Sequence, residues 1–101
     1  MIVYNLTMKV DHSIHDEWLL WQREEYIPGV MATEQFTDYR FFRLLDQDES
    51  DGLTYVVQYM APDIDHYQKY VDDYSSIFIR KAIAKWGNRL IAFPTVMKFV
   101  Q

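Results

Sequence analysis

Residues 2–10 alternate with period two: Ile2, Tyr4, Leu6, Met8 and Val10 fall on one face, Val3, Asn5, Thr7 and Lys9 on the other. Alternation sustained over that length predicts a β-strand. Ser13 with Asp16 three residues on predicts a helix start, Ser13 as N-cap and Asp16 as the short-armed half of a capping box. Ile14, Trp18 and Trp21 follow at helical spacing, while Leu20 and Ile27 fall off that stripe, so this helix is apolar on more than one side. Pro28 predicts an end or kink near Tyr26, with residues 29–33 forming a turn or a short second helical piece. Residues 36–46 read as a second strand with no plainly solvent face. Residues 47–52 form a polar hairpin loop ending in Asp51-Gly52, and residues 53–60 form a third strand. Asp63 is the expected N-cap of a second helix, whose stripe runs through Tyr67, Tyr70, Tyr74, Phe78 and Trp86 and stops at Gly87. At about 24 residues, ~36 Å, that helix is long for such a chain, and a bend near Ser75-Ser76 is expected. A last strand, roughly 88–100, contains Pro94, which cannot donate a ladder hydrogen bond and so belongs at an edge or bulge.

Strand–helix–strand, a hairpin, then helix–strand is the split βαβ order, one domain over residues 1–101. Right-handed crossovers place both helices on one face of a four-stranded antiparallel sheet. The other face then carries Val3, Val56, Met60 and large residues of strands two and four. A patch of that size is unusual on a soluble monomer. Covering it in a standard interface removes ~1,600 Å² and gains ~20 kcal/mol gross, against association costs of roughly 4–15 kcal/mol. The sequence therefore predicts a homodimer through the sheet face, with an enclosed space between the two sheets.

Composition sharpens this picture. Three Trp, eight Tyr and six Phe make 17% of the chain aromatic, more than two helices and one sheet face usually hide. The net charge of -5 and the scattered Lys and Arg argue against nucleic acid as a partner. With no cysteine, thiolate chemistry, disulfides and Cys-based metal sites are excluded. The first residues enter strand alternation directly, without the basic start of a signal peptide, and no apolar run approaches the ~20 residues of a membrane span. The expectation is a soluble cytoplasmic protein with no membrane partner and no cofactor.

The stretches Ile2-Val3-Tyr4-Asn5, Ser13-Ile14-His15-Asp16-Glu17-Trp18, Tyr26-Ile27-Pro28, Ala32-Thr33, Phe36-Thr37, Thr54-Tyr55-Val56-Val57-Gln58-Tyr59 and Ala92-Phe93 follow one another at a spacing that resembles the uncharacterised domain-of-unknown-function 4286 family, and in layout the dimeric α/β-barrel superfamily. The resemblance implies a ferredoxin-like βαββαβ fold and sheet-to-sheet dimers. It brings no established reaction: the wider superfamily holds cofactor-free monooxygenases, haem-degrading enzymes, isomerases and small-molecule sensors. It also implies a histidine before Ile27-Pro28, where this chain has Tyr26, and an arginine after Ala92-Phe93, where it has Pro94.

Polar residues on the helix-free face are the candidate ligand set: Asn5, Thr7, Thr54, Gln58 and one of Arg40 or Arg43, lining the inter-sheet space and orienting a small apolar or aromatic ligand. The alternative is a hydrogen-bonded interior that holds water. Trp18 could stack on a flat ligand, although at its helical spacing it also reads as core. His15 and His66 are the candidate catalytic groups, each needing a reactive proton within ~3 Å. His12 and His15 fall short of the three or four convergent ligands a zinc site requires, so no metal is expected. Three roles compete: a binding or assembly module, a cofactor-free enzyme of the monooxygenase or isomerase kind, and an accessory protein that docks a larger partner.

Overall fold

A computed structural model describes residues 1–101. Strands β1 (Ile2–Val10), β2 (Asp38–Arg43), β3 (Leu53–Ala61) and β4 (Leu90–Lys98) form one sheet in the order β2-β3-β1-β4, every neighbouring pair antiparallel. Between β1 and β2 runs helix α1, built from α-turns at His15–Trp21 and Ile27–Met31 around a π segment at Gln22–Tyr26. Between β3 and β4 runs α2, with α-turns at Ile64–Tyr70 and Ser76–Trp86 around a second π segment at Val71–Ser75. This is the ferredoxin-like βαββαβ architecture that the element order predicts.

The alternation of β1 is expressed directly. Ile2, Tyr4, Leu6, Met8 and Val10 are buried beneath the helices, and the residues between them are half-buried. Register carries this parity across the sheet: Tyr4 lies opposite Tyr59, Leu6 opposite Val57 and Met8 opposite Tyr55. Around them the core is largely aromatic. Tyr4, Phe36, Tyr59 and Tyr70 lie with ring centroids 4.8–6.2 Å apart, the offset and tilted geometry that rings prefer. Asp63 caps α2 as expected, accepting the backbone N–H of His66. Pro94 sits on an edge strand, paired on one side only.

Two local expectations need correction and two are made specific. The first helical turn is capped by Asp11, whose carboxylate accepts both the backbone N–H and the hydroxyl of Ser13; a short 3₁₀ turn, His12–Ile14, separates this cap from α1, so Ser13 is the capped residue and not the cap. Of the outcomes expected at Pro28 the second occurs: regular α-helix is interrupted up to Tyr26 and a short further helical piece, Ile27–Met31, follows. The π segment just before it lets the Ile27 N–H reach back to the Gln22 carbonyl, and the widened turn accommodates the ring. The bend expected near Ser75-Ser76 takes the same form, with the Ser75 hydroxyl donating to the Val71 carbonyl. Finally, β2 is shorter than 36–46: Phe36 turns into the core before the ladder begins, and Asp46, at φ 57°, breaks extension after it. The hairpin closes on Gly52 (φ 146°), where a Cβ would lie 2.5 Å from the Val10 carbonyl oxygen.

Candidate functional site

Register settles which residues share the helix-free face. One cross-strand row reads Arg40, Gln58, Asn5, Thr95; the next reads Phe42, Val56, Thr7, Phe93; Lys9 lies between Thr54 and Ile91. Asn5, Thr7, Arg40, Thr54 and Gln58 therefore do come together on one surface. Arg40 is the arginine of that surface, since Arg43 falls on the opposite parity and binds Glu49 at 2.8 Å. Asn5 donates to the Thr7 hydroxyl at 3.3 Å, and Arg40 is held by Asp38 and by the Tyr39 carbonyl. Asp38's carboxyl is kept below the usual carboxylate range by hydrogen bonds from Arg40 and from the Tyr39 backbone.

The other residues singled out lie elsewhere. Trp18 is fully buried on the helix side, against Tyr55 and Phe41. His15 bridges Asp16 (Nδ1 to Oδ1, 3.0 Å) and Tyr55 (Nε2 to the hydroxyl, 2.7 Å). A carboxylate only accepts, so Nδ1 carries the proton, and a neutral ring then accepts the Tyr55 O–H at Nε2. His66 folds back on the Asp63 carboxylate at 2.7 Å, and His12 Nε2 meets the Glu49 carbonyl at 2.6 Å. The three histidines thus serve three separate local structures.

A second candidate site lies on the other side of the sheet. It is a cavity of ≈ 380 Å³ under the second half of α2, between Ile79, Ile83 and Gly87 above and β1 and β4 below, closed at its inner end by Trp21, Gln22 and Tyr26. Beneath it β4 is left poorly covered: Ala92, Pro94 and Val96 face the helix side by register yet remain exposed. Its walls are mostly apolar. Gln22 is the exception, only 1% exposed, with a side-chain Nε2 that has no hydrogen-bond partner. Trp86, edge-on to the wall residue Trp21 at 5.6 Å, likewise has a buried, unpartnered Nε1. An unmet buried donor costs ~1–3 kcal/mol and calls for an acceptor. Tyr4 and Tyr26 supply the titratable groups of the wall. Burial pushes both phenols above their ordinary range, and the neighbouring tyrosines push the same way, so at neutral pH both are protonated hydrogen-bond donors.

Sequence reading missed Gln22 and the isoleucines of the rim. Gln22 was nevertheless visible: it lies four residues from Trp18 and four from Tyr26, a polar side chain set into an apolar helical stripe.

The family model described as Domain of unknown function (DUF4286) matches residues 1–100. The chain belongs to this family. No curated protein matches the sequence of this DUF4286 member. Among solved structures it is similar to an ethyl tert-butyl ether D (EthD) family protein from Bacillus halodurans C-125, at 12% identity and a TM-score of 0.70 over 99% of this chain and 100% of the other. It is also similar to SnoaB, a cofactor-independent oxygenase from Streptomyces nogalater (15% identity, TM-score 0.69, 99% and 93% covered). A third likeness is a dimeric ferredoxin-like protein from an uncultured marine organism (8%, 0.61, 99% and 95%). At such identities these likenesses establish the fold of the DUF4286 chain and leave its chemistry to its own residues. No helix of the protein is long and apolar enough to cross a membrane.

Proposed function

We propose that this chain is a homodimeric small-molecule-binding module whose ligand occupies the cavity under α2. The observation that carries the reading is the cavity itself: ≈ 380 Å³, walls mostly apolar, with one buried amide side chain, Gln22, among the lining residues. Apolar walls with a few placed polar groups are the usual make-up of a small-ligand site, and the volume falls in the usual range of ~300–1,000 Å³. The ligand class that fits is a compact, largely apolar or aromatic molecule carrying one carbonyl or hydroxyl oxygen for the Gln22 amide. The uncovered sheet face, with Phe42, Phe93 and Met97 exposed, supports the dimer, as does the description of one structural neighbour as dimeric. The row of Arg40, Gln58, Asn5 and Thr95 becomes the polar centre of the dimer seam, satisfied across the interface, and the ligand sits behind the sheet.

A cofactor-free enzyme is the second reading, favoured by the likeness to a protein described as a cofactor-independent oxygenase. Binding is preferred because the titratable wall groups, Tyr4 and Tyr26, are held protonated, and neither His15 nor His66 reaches the cavity. A base at neutral pH would need a lowered or mid-range pKa.

Trp21 in the wall reports occupancy by fluorescence. Titration with a panel of naphthols, naphthoquinones and aromatic ketones is expected to give saturable quenching for at least one member, and Gln22→Leu is expected to weaken that member at least tenfold. Failure of the whole panel to saturate at millimolar concentration, or equal affinity in Gln22→Leu, defeats the reading.

A further inference from the structure

The charges of this chain are sorted along its length. All fifteen Asp and Glu lie before Tyr74, whereas five of the ten Lys and Arg, namely Arg80, Lys81, Lys85, Arg89 and Lys98, lie after it. The net charge of -5 therefore divides into -10 over residues 1–73 and +5 over residues 74–101. The basic part is the second half of α2, the turn after it and β4, and it supplies eight of the fourteen residues that line the cavity. A predominantly acidic molecule thus presents its cavity beside its one basic stretch.

Three of these cations have no carboxylate partner. Arg80 is exposed and uses donors on its own helix, on the Ser76 carbonyl at 3.2 Å and the Ser76 hydroxyl at 3.5 Å. Lys81 rests over the Phe78 ring at 5.4 Å and Lys85 over the Trp86 ring at 5.1 Å. The ion pairs made by lysine and arginine, Lys9–Asp51, Arg40–Asp38, Arg43–Glu49 and Lys69–Asp73, all lie outside this stretch. Arg80 directly follows the lining residue Ile79 and stands one turn before Ile83; Lys81 directly precedes Ala82. The one carboxylate next in sequence to a lining residue is Glu25, beside Tyr26 at the inner end. A helix C-terminus favours cations, which accounts for Lys85 in the last turn. It does not account for Arg80, farther back, or for the lack of any carboxylate from Tyr74 onward.

We propose, resting on the cavity reading above, that the ligand is an aromatic acid whose rings and oxygen enter toward Gln22 while its carboxylate stays at the mouth, in the field of Arg80, Lys81 and Lys85. The apolar interior would penalise the charge, whereas the exposed cations meet it where it keeps its hydration. Arg80 retains free N–H groups in the planar fork that matches a carboxylate. At longer range the same charges draw an anion to this end of a molecule that otherwise repels it.

The test is isothermal titration of the full chain at neutral pH with 6-hydroxy-2-naphthoate and 6-hydroxy-2-naphthamide, which share rings and hydroxyl and differ by one charge. At about 20 mM ionic strength the acid is expected to bind about tenfold more tightly, and at about 200 mM, where surface charges are screened, the ratio is expected to fall to about threefold. Arg80→Gln combined with Lys81→Gln changes two exposed side chains and is expected to lower the low-salt ratio at least about threefold, with the amide's affinity unchanged. Lys69→Gln, which removes the same charge about 16 Å back along α2, is expected to leave the ratio unchanged. Equal affinity for the two probes, tighter binding of the amide, or a preference for the acid that neither salt nor the double variant reduces overturns the inference and leaves the cavity reading standing. So does an equal loss in Lys69→Gln, or binding of another aromatic probe with neither of these two bound. Absence of binding for every probe removes the cavity reading and the inference together.

Discussion

β3 and β4 invite comparison. Each has nine residues, each pairs with β1 in full antiparallel register, and each is rich in apolar side chains. β3 is buried along most of its length, whereas β4 is exposed from Ile91 to Lys98. Intrinsic strand character is similar, so the difference arises from position: β3 is flanked by β2 and β1 whereas β4 is an edge strand, and what lies above each differs. β3 is covered by α1 and the first half of α2, whose Trp18, Tyr26 and Tyr70 fill the space against Tyr55, Val57 and Tyr59. β4 lies under the second half of α2, and the cavity intervenes. Half of the molecule is thus a finished core. The other half is an apolar strand left uncovered on both faces, the arrangement expected where a ligand takes one face and a second chain the other.

The largest effect that tests this contrast is in the finished half. Trp18 is fully buried against Tyr55 and Phe41, so Trp18→Ala is expected to destabilise by ~3–5 kcal/mol in urea unfolding. Val96→Ala, on the uncovered side of β4, is expected to stay within about 0.5 kcal/mol. Comparable losses for the two would mean that β4 is already packed, and the contrast would disappear.

Alkaline pH gives the next largest effect. Tyr59 and Tyr70 lie within the finished core and Tyr4 and Tyr26 where it meets the cavity, and burial pushes each phenol above its ordinary value near 10. The folded state then retains protons that the unfolded chain has released. Stability is unaffected below about pH 10 and falls as pH rises beyond it, by up to ~1.4 kcal/mol per pH unit for each such tyrosine. Urea midpoints measured between pH 8 and 11.5 check this, and Tyr70→Phe is expected to flatten the fall. A midpoint independent of pH above 10 would place these phenols in contact with water.

Much of the fold was legible because it rests on local signals. The strict alternation of β1, the Asp63 cap and the Gly87 stop each act within a few residues, and element order does the rest. What escaped depends on tertiary placement. Pro28 signals an end or a kink, and only the structure shows that the interruption is a π turn after which the helix resumes. Ser13 looks like a cap until Asp11 is seen to hold it. The helix-free polar row was readable from parity alone, whereas the cavity was not. It is formed by residues of α1, α2, β1 and β4 that are far apart in sequence, and no local pattern in any one of them encodes the space between. Gln22 was readable as an anomaly, since a long amide flanked by Trp18 and Tyr26 at spacing four contradicts an apolar stripe.

That anomaly supplies the smallest and most discriminating prediction. If Gln22 served packing alone, Gln22→Leu would leave stability nearly unchanged or lower it. The native side chain, however, is buried with an unmet amide donor and carries its desolvation penalty uncompensated in the empty protein. A leucine of similar reach removes that penalty and keeps the contacts. Gln22→Leu is therefore expected to raise the stability of the ligand-free protein by about 1 kcal/mol while weakening the aromatic probe. Gln22→Glu separates the two contributions further: a carboxylate at this position loses the donor and adds a buried charge, so it is expected to lose both stability and binding. A Gln22→Leu protein no more stable than its parent would mean that the amide is already satisfied, and the site would lose the one group that asks for a ligand.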